Sequence, residues 1–158
     1  MGNMDPEVID PDASSQPAAA SSSRLRPHAP RLLLVDDSPV ERMALAHYLR
    51  RQGYNVDEAG DGQSALDHLK NQEVNAILLD LQMPGGMDGF DVLKYLQRHR
   101  RALPVVLLSG MPLDQIQQEM HGLPTRELPP LFLKPIDLEQ LLQLLEMQLE
   151  GELPSTGA

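Results

Sequence analysis

The chain has 158 residues, a length that suits one domain, with 41% apolar residues, 3% aromatics and a formal net charge of −10. So acidic a chain is a poor nonspecific ligand for nucleic acid or an anionic membrane surface, both of which are polyanions. It has no cysteine, which excludes disulfides, thiolate chemistry and zinc–cysteine sites and suits a reducing compartment, here the cytoplasm. No apolar run approaches the length of a membrane span. Pro6 stands where a myristoylation signal after Gly2 needs Ser or Thr, and the first residues are acidic, so neither a lipid anchor nor a signal peptide is expected.

Residues 1–30 are rich in Pro, Ala, Ser and Asp with scattered single aliphatics, and are expected to form a disordered tail. Residues 150–158 are expected to form a short flexible tail, which leaves a folded domain over 31–149. Within it, RLLLV (31–35) is a continuous apolar run, the pattern of a parallel strand covered on both faces. A helix follows, with Ser38 as N-cap, Pro39 in its first turn and Glu41 closing a capping box. Val40, Ala44, Leu45, Tyr48 and Leu49 form its apolar stripe, and Gly53 ends it.

NVDEA (55–59) reads as a short strand and 61–70 as a helix capped by Asp61. NAILLD (75–80) is a second buried strand, and 90–99 a helix that stops before Pro104. PVVLLS (104–109) is a third apolar strand. The helix 113–120 places Leu113, Ile116 and Met120 on one face. LFL (131–133) is a brief strand, and 136–149 is a helix with Asp137 as N-cap. Five strand–helix pairs imply an α/β fold with a doubly wound five-stranded parallel sheet, which we take in the order 2-1-3-4-5.

Such sheets place their sites beyond the carboxyl ends of the strands. There stand Asp36 and Asp37 after the first strand, Asp80 after the third, Ser109 after the fourth and Lys134 after the fifth. Adjacent carboxylates at the end of a buried strand repel each other and need a positive partner. Three of them on neighbouring strand ends are hard oxygen ligands suited to Mg²⁺. An aspartate beside such an ion can act as nucleophile toward a phosphoryl donor and form an acyl phosphate. The Lys134 ammonium and the Ser109 hydroxyl suit the oxygens of the transferred group.

Four segments carry a family resemblance: DDS at 36–38, ILLDLQMPGGMDG at 77–89, LLSG at 107–110 and FLKP at 132–135. In this order and strand context they resemble the receiver domain of two-component response regulators, over about 120 residues. The resemblance implies a flavodoxin-like three-layer sandwich. It also implies that Asp80 is the phosphoacceptor and takes its phosphoryl group from a histidine kinase or a histidine phosphotransfer protein. Asp37, Asp80 and the backbone carbonyl of Gln82 would bind Mg²⁺ directly, and Asp36 partly through water. Lys134 would pair with the phosphate, Ser109 would be the switch hydroxyl, and the Lys134–Pro135 bond is expected to be cis. On this reading the protein is a phosphoacceptor and not an enzyme in the usual sense. With only a short tail after 149, it would act as a stand-alone receiver by contact with a downstream protein target.

The sequence departs from the family pattern in three places. The loop after Asp80 is one residue longer than usual, with Gly85 and Gly86 as a surface expansion. Leu131 stands where the family usually has an aromatic, and Phe132 beside it should face the other way. The connection at 121–132 is long and holds Pro124, Pro129 and Pro130.

Plainer readings stand beside these. A lone Asp-Asp pair is more often a solvated turn than a metal site. His28, His47, His68, His99 and His121 lack ligand spacing and are expected to be solvated. Arg98, His99, Arg100 and Arg101 suit a helix C-terminus. In the last helix, Leu144 and Met147 flank the core stripe of Leu138, Leu141, Leu142 and Leu145. They mark either a wide core face or a homodimer surface. Two other functions compete with the receiver: a docking module independent of phosphorylation, and a phosphatase with an aspartyl-phosphate intermediate. The phosphatase would need a second Asp two residues after Asp80, where Gln82 stands.

Overall fold

Residues 32–35, 76–79 and 106–108 are buried throughout, as strands covered on both faces must be. The computed structural model describes residues 29–100, 102–120 and 128–150. Of the tails expected at 1–30 and 150–158, residues 1–28 and 151–158 lie outside the described residues, as do His28, His121, Pro124, Arg101 and most of the long connection; Glu150 closes the last helix. Strands and helices alternate in chain order: β1 (Arg31–Val35), α1 (Pro39–Arg51), β2 (Asn55–Ala59), α2 (Gly62–Asn71), β3 (Ala76–Asp80), α3 (Gly89–His99), β4 (Val105–Ser109), α4 (Leu113–Glu119), β5 (Leu131–Leu133) and α5 (Leu138–Glu150). The five strands form one sheet, every neighbouring pair parallel, in the order β2-β1-β3-β4-β5. This is the doubly wound sheet expected from the sequence.

Strand alternation splits the core in two. Leu33, Val35, Ile77, Leu79 and Leu107 face α2, α3 and α4, where Leu66, Leu93, Leu96 and Ile116 meet them. Leu32, Leu34, Leu78, Val106 and Leu108 face α1 and α5, against Leu45, Leu49, Leu141 and Leu145. Leu131 packs with the first cluster and Phe132 with the second, so the two do face opposite ways. Among the described residues no helix is long and apolar enough to cross a membrane.

The helix caps are local and chemical. The Ser38 hydroxyl accepts the Glu41 N–H, Asp61 accepts the Ser64 N–H, and Asp137 accepts the Gln140 N–H. α3 begins at Gly89 with a reciprocal capping box: Asp88 accepts the Asp91 N–H and Asp91 accepts the Asp88 N–H. Gly53, at φ 101°, follows the end of α1 in the left-handed region. Gly85 and Gly86 also have positive φ, which carries the lengthened loop through a turn that other residues resist.

Several apolar stripes differ from expectation. In α1, Leu45 and Leu49 face the core and Tyr48 packs against it as expected, joined by Ala46, but Val40 is 78% exposed and Ala44 is also exposed. In α4, Ile116 is buried and Met120 just after it as well, but Leu113 is exposed. In α5 the stripe is Leu141, Leu145 and Leu149, while Leu138 and Met147 are exposed.

Among the described histidines, His47 and His99 are exposed as expected, and His68 differs. His68 is not simply solvated: its Nε2 lies 2.8 Å from Asp57, which Arg31 holds from the other side at 2.8 Å. The His99 ring packs on Tyr95 with centroids 4.6 Å apart. Arg100 does more than complement its own helix end, since it donates to the Leu69 carbonyl in the last turn of α2 at 2.7 Å.

Candidate functional site

The strand register brings the acids level. Val35 pairs with Leu79 and Asp80 with Leu108, so Asp36 comes level with Asp80 and Ser109 lies one step beyond it. Alternation, carried one residue past the strand ends, sends Asp36, Asp80 and Lys134 toward the α1 and α5 side. Ser109 points to the other side. Asp36, Asp80 and Ser109 are the buried polar side chains of the described core, and all three stand at this rim.

Lys134 is the positive partner that the paired acids require. Its ammonium lies 3.0 Å from Asp80, 3.4 Å from Asp36 and 2.6 Å from Glu41. The Lys134–Pro135 bond is cis. The second oxygen of Asp36 accepts the Ser38 N–H at 2.9 Å, and that of Asp80 accepts the Gln82 N–H at 2.9 Å. Arg42 donates to the Asp36 carbonyl at 2.7 Å and pairs with Glu58 at 3.1 Å, which fixes the acidic loop from below.

Two contacts of the rim escape a reading of the sequence. The Glu41 carboxylate does not return to Ser38 to complete a capping box; it goes to Lys134, and Asp36 takes the Ser38 N–H instead. The Gln82 side chain accepts the Gly110 N–H at 2.9 Å and ties the loop after β3 to the loop after β4. The Ser109 hydroxyl accepts the Met111 N–H at 2.8 Å.

Asp36, Asp37 and Asp80 each offer one carboxylate oxygen, and these oxygens lie within 4.8 Å of one another. Such a donor set fits a hard divalent cation: it is all oxygen, it is partly buried, and one lysine leaves its charge uncompensated. Burial raises the Asp80 carboxyl from 3.8 to about 6, and the Asp36 charge adds to this; the Gln82 N–H and Lys134 pull the other way. Burial disfavours the Lys134 charge, but the hydrogen bonds to Glu41 and Asp80 and the charges of Asp80 and Asp36 outweigh it and raise the group above an ordinary lysine. Lys134 therefore stays cationic at any physiological pH.

A family model described as the response regulator receiver domain matches residues 32–146. The chain belongs to the response regulator receiver family. Among relatives of this receiver, the autoinducer 1 sensor kinase/phosphatase LuxN of Vibrio campbellii is 34% identical over 113 residues, which is 69% of this chain and 13% of that protein. The response regulator MprA of Mycolicibacterium vanbaalenii is 34% identical over 131 residues, 81% of this chain and 54% of that protein. The receiver thus spans about half of one relative and a small part of the other. Among solved structures, a response regulator receiver protein from Pseudomonas putida superposes with a TM-score of 0.66 at 29% identity, covering 77% of this chain and 99% of that one.

The raised Asp80 carboxyl sets an expected pH dependence for cation binding. A ligand carboxylate must be ionised, so protons compete with Mg²⁺ below about pH 6. Calorimetric titration is expected to give a nearly constant Mg²⁺ affinity from pH 7 to 8, and a loss approaching tenfold per pH unit well below 6. The sign for folding follows from the same shift. The folded carboxyl holds its proton more tightly than the unfolded one, so its contribution to metal-free stability falls as pH rises from about 4 to about 6. A pH-independent Mg²⁺ affinity would contradict the participation of Asp80.

Proposed function

We propose that this receiver accepts a phosphoryl group on Asp80 from the phosphohistidine of a histidine kinase or a histidine phosphotransfer protein. The observation that carries this reading is the approach of the Lys134 ammonium to both Asp80 and Asp36, over a triad of carboxylates that share one small volume. A carboxylate triad alone marks a cation site. A carboxylate triad with a lysine on two of its members marks a site for an anion that arrives with a cation.

Asp36, Asp37, Asp80 and the backbone carbonyl of Gln82 are the residues that would hold Mg²⁺. When bound, the ion neutralises the acids and the charge on the phosphoryl oxygens. The rest of the chemistry belongs to the chain. A carboxylate oxygen of Asp80 forms a bond to phosphorus while the phosphorus–nitrogen bond of the donor breaks, and the imidazole leaves with its electron pair. The product is an acyl phosphate. Above about pH 6 the nucleophile is already ionised, so no general base is needed. Lys134 stays charged and stands 3.0 Å from one oxygen of the Asp80 carboxylate. To reach the phosphoryl group, the Ser109 hydroxyl must give up the Met111 N–H, which moves the loop that follows it. Leu131 is an aliphatic of the core layer under α2–α4, so this movement is not relayed through a ring at that position. The output is then a changed surface read by a downstream protein.

The test uses acetyl phosphate as a small phosphodonor. Intact-protein mass spectrometry is expected to show the gain of one phosphoryl group, abolished by a chelator of divalent ions and reversed by hydroxylamine, which cleaves acyl phosphates. A protein that binds Mg²⁺ yet gains no phosphoryl group from acetyl phosphate or from a phosphohistidine donor would overturn the reading.

A further inference from the structure

Glu41 is an acid of the rim that belongs to none of the strand ends. It sits in the first turn of α1, its side chain is 55% exposed, and its contact with Lys134 is the shortest of that residue's three. An ammonium has three N–H donors. Lys134 has three carboxylate partners, Asp36, Asp80 and Glu41, so its donors are fully committed. Two of these partners belong to the acid cluster itself. Glu41 does not; it draws the ammonium outward, toward α1.

The geometry points to Glu41 as a positioning residue that competes with the phosphoryl group for Lys134 and thereby limits how readily the site accepts phosphorus. This rests on the reading of Asp80 as phosphoacceptor. An incoming phosphoryl group brings its own negative oxygens to a rim where four carboxylates face one ammonium. Glu41 acts against it twice. Its charge repels the group, and its hydrogen bond holds one donor that the group's oxygens need. Removing it does not set the lysine loose, because Asp36 and Asp80 still hold it. Nor does it uncap the helix, because the Ser38 hydroxyl binds the Glu41 backbone N–H and not its side chain. Part-exposed ion pairs are individually weak, so the effect is moderate, about three- to fivefold.

The test compares Glu41→Gln and Glu41→Asp with the unaltered chain at saturating Mg²⁺. Beryllofluoride, which stands in for the phosphoryl group, is titrated against backbone amide signals in NMR, and phosphorylation by acetyl phosphate is timed. Glu41→Gln is expected to bind beryllofluoride about three- to fivefold more tightly and to phosphorylate faster by a similar factor, with an unchanged melting temperature. Glu41→Asp keeps the charge but is too short to keep the contact, and is expected to shift in the same direction. In both variants the ¹⁵N signal of the Lys134 ammonium is expected to move in the ligand-free protein, which a purely structural role for Glu41 would not cause. Beryllofluoride binding by the unaltered chain, with no gain or with a loss in the two variants, would overturn the inference alone. Failure of all three proteins to bind beryllofluoride would overturn the inference together with the phosphoacceptor reading beneath it.

Discussion

Asp80→Asn is expected to abolish Mg²⁺-dependent phosphorylation by acetyl phosphate, lowering the rate by roughly a thousandfold or more, because the proposed attacking oxygen is lost. Neighbouring acids cannot take over. Asp36 is fixed by the Ser38 N–H and by Lys134, and Asp37 stands further out at the surface. The same substitution is expected to stabilise the metal-free protein at pH 7.5. There the native carboxyl is ionised against the pull of its surroundings, which raise it to about 6, and an amide removes that conflict. Thermal unfolding in the presence of a chelator should show a melting temperature higher by about 2–5 °C. Lost phosphorylation with a raised melting temperature would separate chemistry from folding. A variant that still forms a hydroxylamine-labile adduct at the normal rate would show that the nucleophile is another residue.

Gly89→Ala is expected to be the most damaging single methyl at the site. A Cβ on Gly89 would lie 2.2 Å from the Asp80 carbonyl oxygen and 2.5 Å from the Leu81 Cα, far inside contact distance. Both atoms are backbone, so no side chain can swing aside. The start of α3 or the end of β3 must move, and Asp80 sits at that end. The expected cost is about 2–3 kcal/mol, read as a fall in the denaturant midpoint with little change in slope. Mg²⁺ affinity is expected to fall with it, since the displaced backbone carries Asp80, the proposed ligand. Gly85→Ala is the control: a Cβ there meets nothing within 4 Å, and only its positive φ of 83° is strained. Its expected cost is about 1 kcal/mol with Mg²⁺ affinity unchanged. Equal losses in the two variants would mean that the close approach at Gly89 does not hold β3 in place.

Much of this site is written in the sequence because topology does the assembling. A run such as Leu32 to Val35 has no polar alternation, so it must be a covered strand, and whatever follows it must emerge at the edge of the sheet. Three such runs and two shorter strands, with helices between them, leave few arrangements, and the residues after each strand share one rim in nearly all of them. Asp36, Asp80, Ser109 and Lys134 were legible for that reason. Ser38, Asp61 and Asp137 were legible as caps because an N-cap is settled within four residues.

What the sequence conceals depends on where long side chains reach. Glu41 stands three residues after Ser38 and reads as half of a capping box; only the arrival of Lys134, distant in the chain, draws it away. The Gln82 amide bridges two loops that are 28 residues apart. Asp57 gathers His68 and Arg31 from neighbouring elements. The exposure of Val40 is concealed for a different reason. Periodicity says which residues share a face of α1, but not how far along the helix that face stays covered.

The decisive question is which atom receives phosphorus. Borohydride reduces an aspartyl phosphate to homoserine, so reduction of the phosphorylated chain followed by tandem mass spectrometry of its peptides reports the position directly. Homoserine at residue 80, and there alone, is the expected result. Homoserine at residue 36 or 37, or a phosphoryl group that survives on a serine or histidine, would mean that the acid and lysine brought together here do not form the accepting centre.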